Sequence, residues 1–444
     1  MSSWRRWLLA ITVLATVTRV AIIVATPHFV PAGDPADYQR HAVSIAAGDG
    51  YPTTEIATPG TPTAFRPPAY PYLLGGVYAV FGDHLLAGRL LGLVLGVLTV
   101  ALLAYLGREI WSERVGLIAA GLAAVFLPLI ALNATLLSES LLLPLELGFG
   151  LCLLRCWRDP GRFRWVVLAG ALCGLSALTR SVADMWLLPA LAVVAFGSAS
   201  RRFKWRGALA VIGAFCVVVA PWTIRNAIDF HALVPISTED WYSAAGQYND
   251  LAAGTRGLPS VWRVPATVPT LAPFFDPLYR RRAGFNEVQL DGAMRHATLH
   301  YVVRHPAHVI VASALDTLRL FNLGPAHWFT TEVSYQELGL PRSLWNPTSV
   351  SAEVIALLAL LVVLARAVGG RLGVWRVTLG PWWLWAVPLL TLALTVPFVG
   401  NPRKRAPLDP FLLLLASLAV EAAIEAVRGP LARRFARRAL APTT

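Results

Sequence analysis

The sequence predicts an all-α protein, a polytopic membrane bundle of about ten transmembrane helices. Of its 444 residues, 56% are hydrophobic and only 14% are charged, whereas an ordinary soluble domain carries about 25% charged residues. Long apolar runs alternate with short arginine-rich connectors. Because helices satisfy their own backbone hydrogen bonds inside a bilayer, a helix bundle is the expected architecture.

Each predicted span is an apolar run near the length of roughly 20 residues that crosses the hydrocarbon. The spans are 7–26, 85–106, 115–133, 136–154, 165–179, 183–199, 207–224, 352–367, 380–398 and 407–426. The first resembles a signal peptide, but Arg19 interrupts it and no small-x-small cleavage site follows, so we expect an uncleaved span. The glycine spacings 88–92, 92–96 and 170–174 predict close helix packing.

The net charge of +13 lies mostly in the connectors between apolar runs. Every second connector and both termini are basic, which predicts that both termini face the cytoplasm and that 427–444 forms a basic cytoplasmic tail. This distribution sets topology and argues against a nucleic-acid partner. The four cysteines, at 152, 156, 173 and 216, all fall in apolar runs and are expected to be packing residues.

Two long hydrophilic segments, about 27–84 and 225–351, are expected on the opposite, outer face. In the first, Asp34 as N-cap and Pro35 at the next position predict a helix that ends near residue 47, before Gly48. In the second, 284–304 and 306–322 have helical periodicity. The latter is amphipathic and is expected on the membrane surface.

The sequence carries no Walker A motif, dinucleotide fingerprint, HExxH or G-x-S-x-G motif. Chemistry driven by ATP is therefore not indicated, and transport, lipid-linked transfer and a structural role remain. Asp34 has two compatible interpretations, a helix cap and a carboxylate that takes a proton from an acceptor hydroxyl. Arg66 is either an interfacial anchor or a phosphate clamp.

A basic run stands on the outer face, where the charge rule disfavours it: Arg403, Lys404 and Arg405. An anionic lipid headgroup or lipid phosphate is the simplest reason for it, and plain solvation is the alternative. Glu139 is expected at an outer helix end, where the helix dipole stabilises an acid. Arg180 brackets a short outer turn with Asp184, and the two are candidates for a mutual ion pair. Arg225 ends a span and is an anchor or a site residue.

Six stretches together resemble the polyprenyl-phosphate-dependent GT-C glycosyltransferases, near protein mannosyltransferases, aminoarabinose transferases and rhizobial core-oligosaccharide transferases. They are GDPADYQRHA, FRPPAYPYLLGGVYAVFG, LLSESLLLP, LTRSVADMWLLP, PWTIRNAIDFHALVPIST and NPRKRAPLDPFLLLLA. They occur in the family's order across about 5–425, so the resemblance implies a GT-C-like domain over 1–426 in a bacterial cytoplasmic membrane, with its active site outside the cytoplasm.

The resemblance also implies roles for individual residues. Asp34 matches the catalytic aspartate, and Arg66, Arg225 and the Arg403–Arg405 run match positions near the donor phosphate. The supporting or acceptor-binding positions are Asp37, Tyr38, Glu139 and Arg180. Many relatives carry a second acid beside the catalytic aspartate, whereas Pro35 follows Asp34 here, which puts a metal role in doubt without excluding a divalent metal.

The hypothesis from sequence is therefore transfer of one sugar from a polyprenyl phosphate to a hydroxyl acceptor, with no cofactor beyond the lipid-linked substrate. The expected partners are that donor, membrane lipids and an envelope acceptor, which is a glycan, a lipid or a protein. Two alternatives stay open. A secondary transporter would place polar groups near the membrane midplane, and a non-catalytic lipid-binding subunit of an envelope complex would tolerate changes at Asp34.

Overall fold

The computed structural model describes residues 3–197, 200–278, 284–372 and 378–439. Within these ranges the chain is helical, with an isolated bridge between Thr53 and Pro62 and no strand. The helices are α1 Ser3–Ala25, α2 Asp34–Ala47, α3 Ala69–Phe81, α4 Leu85–Ile110, α5 Glu113–Val125, α6 Leu127–Asn133, α7 Glu139–Arg158, α8 Phe163–Ala177, α9 Leu187–Phe196, α10 Arg201–Phe230, α11 Asp240–Gln247, α12 Asp250–Gly254, α13 Glu287–Arg304, α14 Pro306–Arg319, α15 His327–Glu337, α16 Trp345–Leu372, α17 Trp382–Thr395 and α18 Asp409–Ala439.

Each predicted span coincides with helical structure, but length and composition of the described helices do not confirm ten membrane crossings. Among the described residues, α1, α4, α7, α10 and α16 are long and apolar enough to cross a bilayer. The helices α8 and α17, and the 3-10 and α-helical stretch from Ser181 to Phe196, are apolar but shorter. Residues 198 and 199, at the end of the predicted span 183–199, lie outside the described ranges.

The predicted span 115–133 is not one straight helix. It divides into α5 and α6, which meet at Phe126 with a bend of 62°. Pro128 explains the break, since proline is favoured in the first turn of a helix and has no backbone N–H with which to continue the hydrogen bonds of α5. Asn133, at the end of α6, accepts a hydrogen bond from Nε of the buried Arg19 on α1 at 3.1 Å.

Small residues let neighbouring helices approach closely, as the glycine spacings predict. A Cβ atom placed on Gly170 of α8 would lie 2.3 Å from the carbonyl oxygen of Val211 on α10. One placed on Gly92 of α4 would lie 2.2 Å from the carbonyl oxygen of Asn133. Both contacts involve backbone, which cannot move aside as a flexible side chain can. Three of the cysteines are buried in this packing, whereas Cys216 is exposed.

We expect Gly170→Ala to destabilise the protein, because its new methyl group meets the α10 backbone. Overpacking of this kind costs about 1–3 kcal/mol. Gly213→Ala on α10 is the matched control, since a Cβ there has no heavy atom within 4 Å in the described structure. Thermal unfolding of the purified proteins in detergent measures the difference. Equal melting temperatures for the two variants would contradict the packing argument.

The two outer segments are tied together by one buried carboxylate. Glu287, at the start of α13, accepts hydrogen bonds from the Thr63 hydroxyl at 2.6 Å, the Ala64 amide at 2.9 Å and the Thr238 hydroxyl at 2.8 Å. It is 1% exposed. Since Thr63 and Ala64 belong to the first segment and Thr238 to the second, this carboxylate fixes the segments against each other directly beside Arg66.

The predicted helices of the second outer segment are present as α13 and α14. The helix α14 is amphipathic, with charged residues on its buried face and apolar residues on its exposed face. It buries Asp316 and Arg319, which form an ion pair at 2.7 Å, and it exposes Ile310 and Val311. At the other end of the chain, α18 continues unbroken to Ala439, so the predicted tail from 427 begins as helix, and 440–444 lie outside the described residues.

Candidate active site

The first helix of the outer segments presents Asp34 to the protein interior. Gly33, with φ of 62°, is the N-cap of α2, and Asp34 is the first helical residue. No side-chain oxygen caps this helix, so the predicted N-cap role of Asp34 is wrong. The left-handed backbone at Gly33, which glycine adopts at little cost, turns the chain so that the Asp34 carboxylate faces two arginines instead of the helix amides.

Asp34 lies between Arg66 and Arg403. Its Oδ1 is 2.6 Å from Nη2 of Arg66, and its Oδ2 is paired with Nη2 of Arg403. Although burial alone would raise the pKa of the Asp34 carboxyl, Arg66, Arg403 and Lys404 hold it well below its usual range. The structure therefore brings together three predicted site residues from regions more than 300 residues apart in the chain, with the aspartate ionised.

Arg66 also joins the first outer segment to the second. Its Nε is 2.7 Å from Oδ2 of Asp37, and its Nη1 is 3.1 Å from Oε1 of Glu239. Its guanidinium carbon lies 5.3 Å from the ring centroid of Tyr38, within the range of a cation–π contact. Because each of its three guanidinium nitrogens is paired with an acid, the Arg66 side chain is fixed and holds three carboxylates in position.

Arg403 is 2% exposed in its side chain and faces three carboxylates. Besides Asp34, it lies 2.9 Å from Glu337 through Nη1 and 3.5 Å from Glu139 through Nε. Glu139 in turn pairs with Arg180 at 2.8 Å. The expectation that Arg180 pairs with Asp184 is therefore wrong, because Glu139 at the start of α7 takes that guanidinium.

A cavity of about 300 Å³ opens beside this cluster. Its polar lining includes Tyr38, Arg180, Glu239, Asp240 and Lys404. Its apolar lining comes from the 3-10 helix Ser181–Trp186 and from the end of α17 and the residues after it, and includes Val182, Met185, Leu394, Phe398 and Val399. A cavity with both charged and apolar lining suits a ligand that has both kinds of surface.

Lys404 is the basic group of this cavity without an ion-pair partner within 4 Å in the described structure. Burial, together with the nearby guanidinium groups of Arg403 and Arg180, lowers the pKa of Lys404 to about 8. On the opposite wall, Asp240 accepts a hydrogen bond from the Ser181 hydroxyl at 2.9 Å, and burial raises its pKa to about 6. An anion bound in the cavity could therefore form an ion pair with the Lys404 ammonium.

Two residues of the predicted phosphate site lie elsewhere. Arg225 donates to the carbonyl oxygen of Thr63 at 2.8 Å and pairs with Asp229 at 2.8 Å, so the structure does not bring it to the cluster. Arg405 pairs with Asp409 at 2.6 Å and donates to the carbonyl oxygen of Leu320. Both guanidinium groups are held by local partners, and neither lines the cavity described above, so their role as phosphate ligands stays a prediction.

Sequence reasoning missed three acids at this site, which are Glu239, Asp240 and Glu337. The first two directly follow the stretch PWTIRNAIDFHALVPIST, so two adjacent acids after a matched motif were an available signal. Nothing in the local sequence marks Glu337. It reaches the cluster because α15 ends against Gly33, where a Cβ atom would lie 2.9 Å from Oε1 of Glu337.

The described residues contain no group of three or more His, Cys, Asp or Glu side chains placed to hold a metal ion. At Asp34 each carboxylate oxygen already has a guanidinium partner. A divalent cation bound to Asp34 would have to displace Arg66 or Arg403, so the residues present at this position do not fit a metal site.

Comparison with known proteins gives one family match and several related structures. Residues 65–224 match the family model described as dolichyl-phosphate-mannose-protein mannosyltransferase. The chain is 30% identical over 169 residues to the undecaprenyl phosphate-alpha-4-amino-4-deoxy-L-arabinose arabinosyl transferase of Pseudomonas aeruginosa, a match that covers 36% of this chain and 30% of that protein.

The fold is similar to that of the archaeal oligosaccharyltransferase AglB from Archaeoglobus fulgidus. In complex with an inhibitory peptide and a dolichol-phosphate, AglB aligns with a TM-score of 0.52 at 14% identity, over 100% of this chain and 53% of AglB. The same protein tethered to an acceptor peptide aligns with a TM-score of 0.53 at 15% identity, over 96% of this chain and 50% of AglB.

The chain thus spans about half the length of AglB, and its match covers 30% of the transferase. The 14% identity to AglB shows the fold alone. The matched motifs include Arg66, which the structure pairs with Asp34. Over residues 65–224 the chain is therefore similar to the dolichyl-phosphate-mannose-protein mannosyltransferase family, and its fold is similar to that of AglB.

Proposed function

We propose that this chain transfers one sugar from a polyprenyl phosphate to a hydroxyl acceptor on the extracytoplasmic face of a bacterial cytoplasmic membrane. The observation that carries the proposal is the Asp34 carboxylate, held between Arg66 and Arg403 beside a cavity lined by two cations, by acids and by apolar side chains. The basic connectors support an orientation with both termini in the cytoplasm, which puts Asp34 outside.

In this proposal the donor phosphate lies near Lys404 and Arg180, the two cations that line the cavity. The first isoprene units lie against the apolar lining residues Met185 and Leu394. The sugar faces the acids Glu239 and Asp240. Carboxylates accept hydrogen bonds from sugar hydroxyls or from an amino group. A 4-amino-4-deoxypentose, the sugar named for the Pseudomonas relative, and a neutral hexose are both compatible with this wall.

The reaction breaks the bond between the anomeric carbon and the phosphate oxygen. The acceptor oxygen forms the new bond to that carbon, its proton goes to Asp34, and the electron pair of the broken bond stays on the departing phosphate. Arg180, Arg403 and Lys404 stabilise the charge that develops there. One oriented donor of this kind is typically worth about 3 kcal/mol in the transition state, so the scheme works without a metal ion.

Asp34 is a weak base while two arginines hold it, because its pKa is well below its usual range. Binding of the donor phosphate raises the pKa of the Asp34 carboxyl again. An anion beside Arg403 shares the guanidinium that otherwise serves Asp34, Glu139 and Glu337. The carboxylate then gains basicity only when the donor is bound, which couples proton transfer to the presence of the sugar.

The direct test uses purified protein in proteoliposomes with a radiolabelled undecaprenyl-phosphate sugar and an envelope extract from a strain that lacks the gene. We expect label to move from the lipid to a component of the extract. Two results would contradict the proposal. Movement of an unmodified solute across the vesicle membrane would favour a transporter, and tight lipid binding without turnover would favour a lipid-binding subunit.

The pH dependence follows from the unpaired lysine. The Lys404 ammonium is charged below its pKa of about 8 and neutral above it. The second-order constant kcat/KM for the donor is therefore expected to be level at about pH 6.5–7 and to fall roughly tenfold by pH 9. Lys404→Arg keeps its charge in this range, so its alkaline limb should be flat. Identical profiles for the two proteins would show that Lys404 does not bind the phosphate.

A further inference from the structure

A second cavity lies on the far side of α11 from the donor cavity, between α11–α12 and the end of α13. We propose that it binds one sugar unit of the acceptor, so that the acceptor is a glycan or carries a glycan headgroup. This inference rests on the proposed transfer reaction and adds the chemical class of the acceptor to it.

The size suits a single saccharide unit. The cavity holds about 280 Å³, just below the range of roughly 300–1,000 Å³ that is typical of pockets for drug-sized ligands. Its polar lining comes from both sides, with Asp250 of α12 on one and His300 and Arg304 of α13 on the other. The hydroxyl of Thr270 and the ring of His305 complete it.

The charged groups of this cavity do not neutralise each other. Asp250 and Arg304 both line it, are exposed, and have no ion-pair partner within 4 Å in the part of the chain that is described. The charge of each also complements a helix end, and both groups are free to bind a ligand in the cavity. Sugar hydroxyls donate and accept at once, so a saccharide placed between the carboxylate and the guanidinium satisfies both.

The remaining wall is aromatic and fixed. The Tyr248 hydroxyl donates to the carbonyl oxygen of Pro397 at 2.6 Å, and the Tyr301 hydroxyl lies 3.0 Å from Nδ1 of His308. The rings of Tyr301 and His305 lie 4.6 Å apart between centroids. The hydroxyls of Tyr248 and Tyr301 are thus already engaged. The rings of these tyrosines contribute apolar surface to the cavity for the C–H side of a sugar ring. A wall held in this way binds without losing side-chain entropy.

The position links this cavity to the donor. The helix α11 supplies Ser243 to the donor cavity and Ala245 to the second one. Tyr248, which lines the second cavity, lies 6.3 Å from Phe398, which lines the first, as measured between ring centroids. A chain of linked sugars anchored behind α11 therefore has one end close to the donor, as an acceptor hydroxyl requires.

The test compares acceptor use with donor use in the full-length protein. The probe is the unmodified envelope glycan extracted from a strain that lacks the gene, and the variants are Asp250→Asn and Arg304→Gln. Loss of one hydrogen bond to a charged partner should raise KM for this glycan about tenfold or more. Donor affinity and slow donor hydrolysis by water should stay at wild-type values. Arg295→Gln, an exposed residue of the same helix that does not line the cavity, is the control.

The outcomes separate this inference from the reaction beneath it. If the wild-type protein transfers nothing to the extract, the proposed function fails and the inference fails with it. If transfer occurs and both cavity variants keep the wild-type KM for the glycan, only the acceptor site is overturned. A loss of donor hydrolysis in step with glycan transfer would also overturn it, because the residues would then act on the donor side.

Discussion

Asp34→Asn is expected to lower the rate of sugar transfer by a factor of about 10²–10⁴, the usual contribution of a positioned general base. The amide cannot accept the proton of the acceptor hydroxyl. Donor affinity should not weaken, because the variant removes an anion that competes with the donor phosphate for Arg403. Single-turnover transfer and equilibrium binding of a labelled undecaprenyl-phosphate sugar separate the two effects.

Asp49→Asn is the matched control for this variant. It makes the same chemical change just beyond the end of α2, at an exposed position remote from the cluster, and should leave both measurements unchanged. Asp34→Glu should keep part of the activity, since the carboxylate survives with altered reach. Transfer by Asp34→Asn at more than about a tenth of the wild-type rate would remove the base assignment.

Arg403→Gln is expected to damage both stability and donor use. The guanidinium is buried among Asp34, Glu139 and Glu337. Its loss leaves Glu337 without an ion-pair partner in the described structure and leaves Asp34 and Glu139 with one cation each. Removal of one partner of a buried ion pair typically costs about 3–5 kcal/mol. The donor should also bind at least tenfold more weakly, because a buried cation near its phosphate is gone. Thermal unfolding and donor binding report the two losses.

Arg405→Gln distinguishes these two effects. Arg405 is equally buried and pairs with Asp409, but it has no ion pair with Asp34, Glu139 or Glu337 in the described structure. It should destabilise the protein while donor affinity in the folded fraction stays normal. Arg403→Lys should recover part of the stability, since one positive charge returns without the fork that reaches three acids. Normal donor affinity in Arg403→Gln would contradict its placement near the phosphate.

The spans were largely predictable because they rest on long apolar runs, a signal that local composition carries. The helix α2 was also predictable from Pro35 and from Gly48, at which it ends. The break between α5 and α6 was not predicted, although Pro128 marked it in the sequence. The run looked like one span because hydropathy does not register a 62° bend.

The site was less predictable because its contacts join distant parts of the chain. Asp34, Arg66 and Arg403 were found through motifs, but their mutual pairing depends on how the outer segments fold over the bundle. A capping role for Asp34 followed from local rules, which the two arginines override. The local partners of Arg225 and Arg405 were not predicted for a related reason. A basic residue beside a motif has no local mark that tells a phosphate ligand from the partner of a neighbouring acid.

The most direct test of this account is an experimental structure with an undecaprenyl-phosphate sugar bound. We predict the phosphate within hydrogen-bond distance of Lys404 and Arg180, its lipid tail against Met185 and Leu394, and the anomeric carbon on the side of Asp34. A phosphate bound elsewhere, with Asp34 still closed between Arg66 and Arg403 and the cavity beside it empty, would contradict the proposed site.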